Sequence, residues 1–175
     1  MPKIVLIENN YPTTESLYRV LNYVLRSDLI GGYALDPVHA YRQMMMLKKA
    51  YHKTDGAQLV HFIISFSSKE AYKMTMDEML HLGFWAAAQF QSFQAAYALH
   101  CDTCHFHLHI VLNTVSYEDG HRYADGLAGF WKLQHALQQV FPKSEVGLYR
   151  SYPCSSVNRY MGGKIVIAFC EWVNF

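Results

Sequence analysis

The chain has 175 residues, 51% hydrophobic and only 17% charged, which is enough for one globular domain with a buried core. A formal net charge of +1 excludes a broadly polybasic nucleic-acid binder, so any contact with DNA has to use a local basic surface. No run of eighteen apolar residues occurs, so no membrane insertion is expected; the four irregularly spaced Cys suit a reducing cytoplasm and not a disulfide framework.

In chain order, Met1-Pro2 leads directly into Lys3 to Ile7 (KIVLI), a short buried strand and not a signal peptide. Thr13 or Thr14 caps a helix on which Leu17, Val20, Leu21, Val24 and Leu25 form one apolar stripe. Gly31-Gly32 reads as a flexible loop. Asp36-Pro37 is an N-cap with proline at the first helical position, opening a helix that runs to about His52 and is closed by Thr54-Asp55-Gly56. His61 to Phe66 is a second buried strand. Thr75-x-x-Glu78 is a capping box for a helix with Met76, Met79, Leu80, Gly83, Phe84 and Ala87 on its core face. Glu118-Asp119-Gly120 is a turn, Gly129 to Val140 a further helix, and Lys164 to Phe169 (KIVIAF) a possible last strand. The expected class is α+β: an antiparallel-rich central sheet with helices packed against it, in one domain over residues 1–175. Residues 141–175 match no pattern of known role.

Residues 100 to 113, His-Cys-Asp-Thr-Cys-His-Phe-His-Leu-His-Ile-Val-Leu-Asn, carry the chemistry. His105, His107 and His109 alternate with Phe106, Leu108 and Ile110, the period-two signature of a strand. The imidazoles and Asn113 share one face; Phe106, Leu108, Ile110 and Leu112 bury on the other. Gln94 to His100 supplies a partner strand, and a hairpin turning at Thr103 and Cys104 sets His100 opposite His107. Burying unpartnered imidazoles is costly, and crowded imidazolium ions repel. A shared divalent cation on His100, His107 and His109, with positions left open, resolves both problems. A lone His on a strand is more often an ordinary hydrogen-bonded residue, and Cys101-x-x-Cys104 leaves a structural zinc knuckle as a minority alternative. Strand parity argues against that knuckle, because Cys101 follows His100 and so points to the other face.

The thirteen Tyr include two on the first helix, Tyr23 and Tyr18. Tyr23 lies off the apolar stripe, so its hydroxyl need not be buried; an interfacial Tyr covering the core is the commoner role of such a residue. No G-x-S-x-G and no H-E-x-x-H occurs. Arg42, Lys48, Lys49 and Lys53 along the second helix, and Arg122 after the His strand, are the candidate DNA contacts, and each is by default a solvated charge.

His61-Phe-Ile-Ile-Ser-Phe66 with Glu70, then His100-x-Asp102-x-x-His105-x-His107-x-His109-Ile-Val-x-Asn113-x-Val115, then Asp119-Gly120-His-Arg-Tyr123, resembles the relaxase/mobilisation nuclease family, the MobA/MobL-like DNA relaxases among the HUH endonucleases. The resemblance runs from about Leu17 to about Tyr123. It implies one divalent ion (Mn, Mg or Zn) on His100, His107 and His109. It also implies a nucleophilic tyrosine in a leading helix, matched by Leu21-Asn22-Tyr23-Val24-Leu25, with Tyr18 as the alternative. Asp102, His105, Glu70, His61 and Asn113 are then candidates for orienting the ligands. The implied activity is nicking and rejoining of single-stranded origin-of-transfer DNA in a bacterial cytoplasm, with accessory transfer proteins as partners. A rolling-circle replication initiator with the same centre and a non-catalytic zinc-stabilised DNA-binding protein remain the alternatives.

Overall fold

The computed structural model describes residues 2–8, 11–101 and 105–151. Its elements run β1 (Lys3–Ile7), α1 (Thr14–Val24), β2 (Ile30–Tyr33), a 3-10 turn (Pro37–His39) leading into α2 (Ala40–Ala50), β3 (Leu59–Ser65) and α3 (Ser68–Ala71). They continue through α4 (Met76–Ala88), β4 (Phe93–His100), β5 (His107–Ser116), α5 (Leu127–Val140) and β6 (Gly147–Ser151). The strands form one six-stranded sheet in the order β2-β4-β5-β3-β1-β6. Every neighbouring pair is antiparallel except β1 with β6, so the expected α+β, antiparallel-rich architecture is the one observed.

Local sequence explains most element starts. Thr13 accepts the Ser16 amide at 3.1 Å and caps α1, whose buried stripe is Leu17, Val20, Leu21 and Val24. Thr75 and Glu78 close the capping box of α4 reciprocally. Asp36 accepts the Val38 amide at 3.0 Å, yet the turn it caps is 3-10 and the α-helix proper starts at Ala40.

Helices pack on both faces of the sheet, in three layers. On one face α4 and α5 seal Phe62, Ile64, Leu99, Leu108, Ile110 and Leu112 under Met79, Ala86, Phe130, Leu133 and Leu137. On the other, α1 and α2 lay Leu17, Leu21, Val24, Ala40 and Met44 over Leu59, Ala96, Ala98 and Val111. β4 is therefore buried along its whole length.

Several expectations are corrected. Gly31 and Gly32 are not a loop but the middle of β2, paired with Tyr97 and Ala96; a side chain at Gly31 would run into the Tyr97 ring. The core face of α4 is Met79, Leu82, Gly83, Ala86 and Ala87, while Met76 and Phe84 are about half exposed. The helix is apolar nearly all round, so periodicity gave no unique face. β5 starts only at His107: His105 sits exposed at a bend, outside the alternation. β6 was not foreseen, and Lys164 to Phe169 lies outside the described residues. Among the described residues no helix is long and apolar enough to cross a membrane.

Candidate active site

The site grows out of strand register. The β4–β5 hairpin pairs His100 with His107 and Ala98 with His109, while β3 pairs Ile63 with His109 and His61 with Val111. His100 and His61 are thus the diagonal neighbours of His109 on either side, close enough for rings to meet. They do: ring centroids lie 4.4 Å apart for His100 and His109, 5.4 Å for His61 and His109, and 6.4 Å for His107 and His109. Four imidazoles from three strands form one continuous patch.

Helix α1 crosses this patch and brings Tyr23 onto it. The phenol ring meets His100 and His109 edge-on, with centroids 5.5 and 5.6 Å away. Three residues on, the Arg26 guanidinium lies over the Tyr23 ring, 4.6 Å from its centroid. Tyr18 points elsewhere, stacking edge-on with Tyr41 at 5.3 Å and 45% exposed.

Hydrogen bonds and burial set the state of the imidazoles. His100 Nε2 lies 2.7 Å from the Val24 carbonyl oxygen. A carbonyl only accepts, so Nε2 carries the proton of that bond. His61 Nε2 and His109 Nδ1 are 3.1 Å apart and share one proton. With that proton on His109 Nδ1, its Nε2 is left as a donor atom for a cation, and His61 acts as the orienting acceptor. Burial, followed by the neighbouring His100, pushes His61 down to about 4. Burial and the surrounding imidazoles and Arg26 hold His109 well below the usual histidine range. Both rings are therefore neutral at ordinary pH, the form that ligates metal.

In donor chemistry the patch suits a divalent cation, since imidazole nitrogen is a common ligand of such ions. In arrangement it is not closed around one point. Among the described residues no group of three His, Cys, Asp or Glu is set to hold a metal ion. His100, His107 and His109 lie in one cluster, with His100 Nε2 turned to the Val24 carbonyl at the end of α1.

The remaining candidates separate clearly. Glu70 closes the capping box of α3 with Ser67 and accepts from Ser144 Oγ at 2.9 Å, a structural post. Asn113 donates to Gln94 Oε1 at 3.1 Å beside the irregularity where β4 and β5 shift register, four residues along β5 from His109. Asp102 and Cys104 lie outside the described residues, and Cys101 is exposed. Arg42 and Lys49 are exposed and Lys53 half-buried on the α2 side. Lys48 is corrected: it is fully buried, donating to Thr114 Oγ1 at 3.1 Å, and cannot face DNA. Arg122 is held by Asp55 at 2.7 Å. Sequence reasoning missed Arg26, although an arginine three residues after the candidate tyrosine has the spacing of a same-face pair.

The chain is similar to known proteins of three kinds. The relaxase family described as MobA/VirD2-like, nuclease domain, matches residues 23–145. Two Staphylococcus aureus proteins, each called Protein rlx, are 32% and 30% identical over 112 residues, covering 63% of this chain and 35% and 34% of their own lengths. A third Protein rlx from Staphylococcus aureus is 27% identical over 130 residues, 73% of this chain and 38% of its own. The chain spans about a third of the length of these curated relatives. A solved structure, the MobM relaxase domain (MOBV; Mob_Pre) bound to 26-nucleotide pMV158 oriT DNA, shares the fold. Its TM-score is 0.52 at 13% identity, over 92% of this chain and 95% of that one.

Proposed function

Because the chain belongs to the MobA/VirD2-like relaxase family of nuclease domains, we propose that it nicks and rejoins one DNA strand at a transfer origin, in a bacterial cytoplasm, with Tyr23 as nucleophile. The observation that carries this reading is the edge contact of the Tyr23 ring with His100 and His109. There a side chain of the expected nucleophile type meets the imidazole patch.

In the proposed reaction the Tyr23 oxygen attacks the scissile phosphorus and its proton passes to a base. The bond from phosphorus to the 3′ oxygen breaks, and that oxygen takes up a proton to leave a free 3′ hydroxyl. The 5′ phosphate stays on the tyrosine as an aryl phosphodiester, so attack by a 3′ hydroxyl reverses the step and reseals the strand. A phenol ionises only near pH 10, so its anion needs help at neutral pH. Arg26, stacked on the ring, supplies fixed positive charge beside the phenol and beside the incoming phosphate. His100, His107 and His109 are the residues that would hold one divalent cation (Mn, Mg or Zn), and His61 would fix the His109 ring. When bound, the cation contributes positive charge to the phosphate oxygens. Single-stranded origin DNA is the proposed substrate, with accessory transfer proteins as further partners.

The test is incubation with labelled single-stranded oligonucleotides tiled across the transfer origin of the replicon that carries the gene. A covalent adduct resistant to denaturation is expected for the parent chain and for Tyr18→Phe, and none for Tyr23→Phe. An undiminished adduct in Tyr23→Phe would overturn the assignment.

A further inference from the structure

The imidazole patch continues across the sheet toward its far edge. His107 pairs with Ser65, Ser65 with Lys3, and Lys3 with Gly147, so one row of register partners leads from the patch to β6. The adjacent row runs from His109 through Ile63 and Val5 to Tyr149. Directly paired residues share a sheet face, and Leu6 and Leu148, the alternate positions, pack instead into the core under α4 and α5. Both rows therefore lie on the side of Tyr23.

α1 and α2 roof the β4 and β5 end of that face, burying Ala96, Ala98 and Val111. At the other end Lys3, Ser65, Ile63, Val5 and Tyr149 are only half-buried. Tyr149 has a defined posture: its ring lies over Gly147, where any β-carbon would meet it, and the Lys3 ammonium sits 5.8 Å from its centroid. An aromatic platform thus lies beside a hydroxyl and an ammonium, in line with the candidate catalytic patch. Three inter-strand spacings put Tyr149 about 14 Å from His109, a reach of about four stacked nucleotides at 3.4 Å each.

We propose that this strip is a subsite for single-stranded DNA flanking the scissile phosphate. Bases stack on Tyr149 and lie on Ile63 and Val5, and the backbone passes over Ser65 and Lys3. The occupant follows from charge complementarity and from continuity with the imidazole patch. The inference rests on the nicking reading for that occupant and assigns residues outside the reacting centre.

The test uses the full chain and a fluorescein-labelled 20-mer oligothymidylate, which can stack but has no origin sequence, in fluorescence anisotropy. Tyr149→Ala is expected to weaken binding between about fivefold and a hundredfold, because stacking on an aromatic ring is sequence-tolerant. Tyr149→Phe, which keeps the ring, should bind within about twofold of the parent and guards against a folding artefact. Lys3→Gln should reduce the slope of log affinity against log salt by about 0.7, the value for one lost contact to a single strand. Parental affinity in Tyr149→Ala, or no binding of the 20-mer by the parent chain, overturns the proposal. Origin adducts on Tyr23 together with parental affinity in Tyr149→Ala refute the strip alone. Absent adducts with ring-dependent binding of the 20-mer refute the nicking reading alone.

Discussion

The two faces of the one sheet are built from the same strands by alternation, yet they do different work. Under α4 and α5 the even positions of β5, Leu108, Ile110 and Leu112, vanish into a dry cluster with Phe62, whose ring meets Phe90 and Phe130 at 5.4 and 5.1 Å. On the α1 side the odd positions His107 and His109 face a tyrosine, an arginine and two further imidazoles. A one-residue slip in β5 would exchange the two sets. The apolar face therefore does more than stabilise: it fixes the register that assembles the polar one.

This division predicts opposite phenotypes. On the polar face His107→Ala, a half-buried position, should abolish cation binding and origin adducts while leaving the denaturation midpoint nearly unchanged. Chelation of the parent chain should do the same, and unfolding on chelation would instead make the metal structural. On the dry face Phe62→Ala should cost about 3–5 kcal/mol in urea denaturation, since its ring is fully buried and cannot be replaced by solvent. A cost below about 1 kcal/mol would show that the face is not the scaffold. Between the two, His61→Ala should weaken cation affinity about 10–100-fold by isothermal titration, as expected for a group that orients a ligand. Unchanged affinity would leave His61 as a packed core residue.

A pH effect concerns Lys48. Burial, with Arg122 adding to it, lowers its amine from 10.5 to about 7. The unfolded chain then holds a proton that the folded chain has released, so stability should rise with pH between about 7 and 10.5, by at most about 1.4 kcal/mol per pH unit. Lys48→Met should flatten this rise, read from urea midpoints across that range. A slope retained in the methionine variant would assign it to another group.

Much of the frame was legible in the chain. Thr13 and the Thr75–Glu78 box are short-range signals that no packing overrides, and a hairpin turning at Thr103 and Cys104 implies the His100–His107 pairing that is observed. What was hidden depends on distant residues. Gly31-Gly32 becomes a strand because Tyr97, far along the chain, needs the space a side chain would take. Lys48 looks like any helical surface charge until Thr114 and the β5 side of α2 close over it. His105, His107 and His109 alternate evenly in sequence, but the hairpin bend takes His105 out of the strand and His61 arrives from β3 as the fourth ring. Arg26 was readable from spacing alone and was overlooked because it follows the last turn of α1.

The central claim, that the imidazole patch serves Tyr23 as a strand-transfer nucleophile, is tested most directly by locating the covalent bond. The parent chain is incubated with origin oligonucleotide and a divalent cation, digested with nuclease and trypsin, and the nucleotide-bearing peptide is sequenced by mass spectrometry. The expected result is a 5′-phosphonucleotide on Tyr23. A nucleotide carried by Tyr18 or by any other side chain contradicts the account.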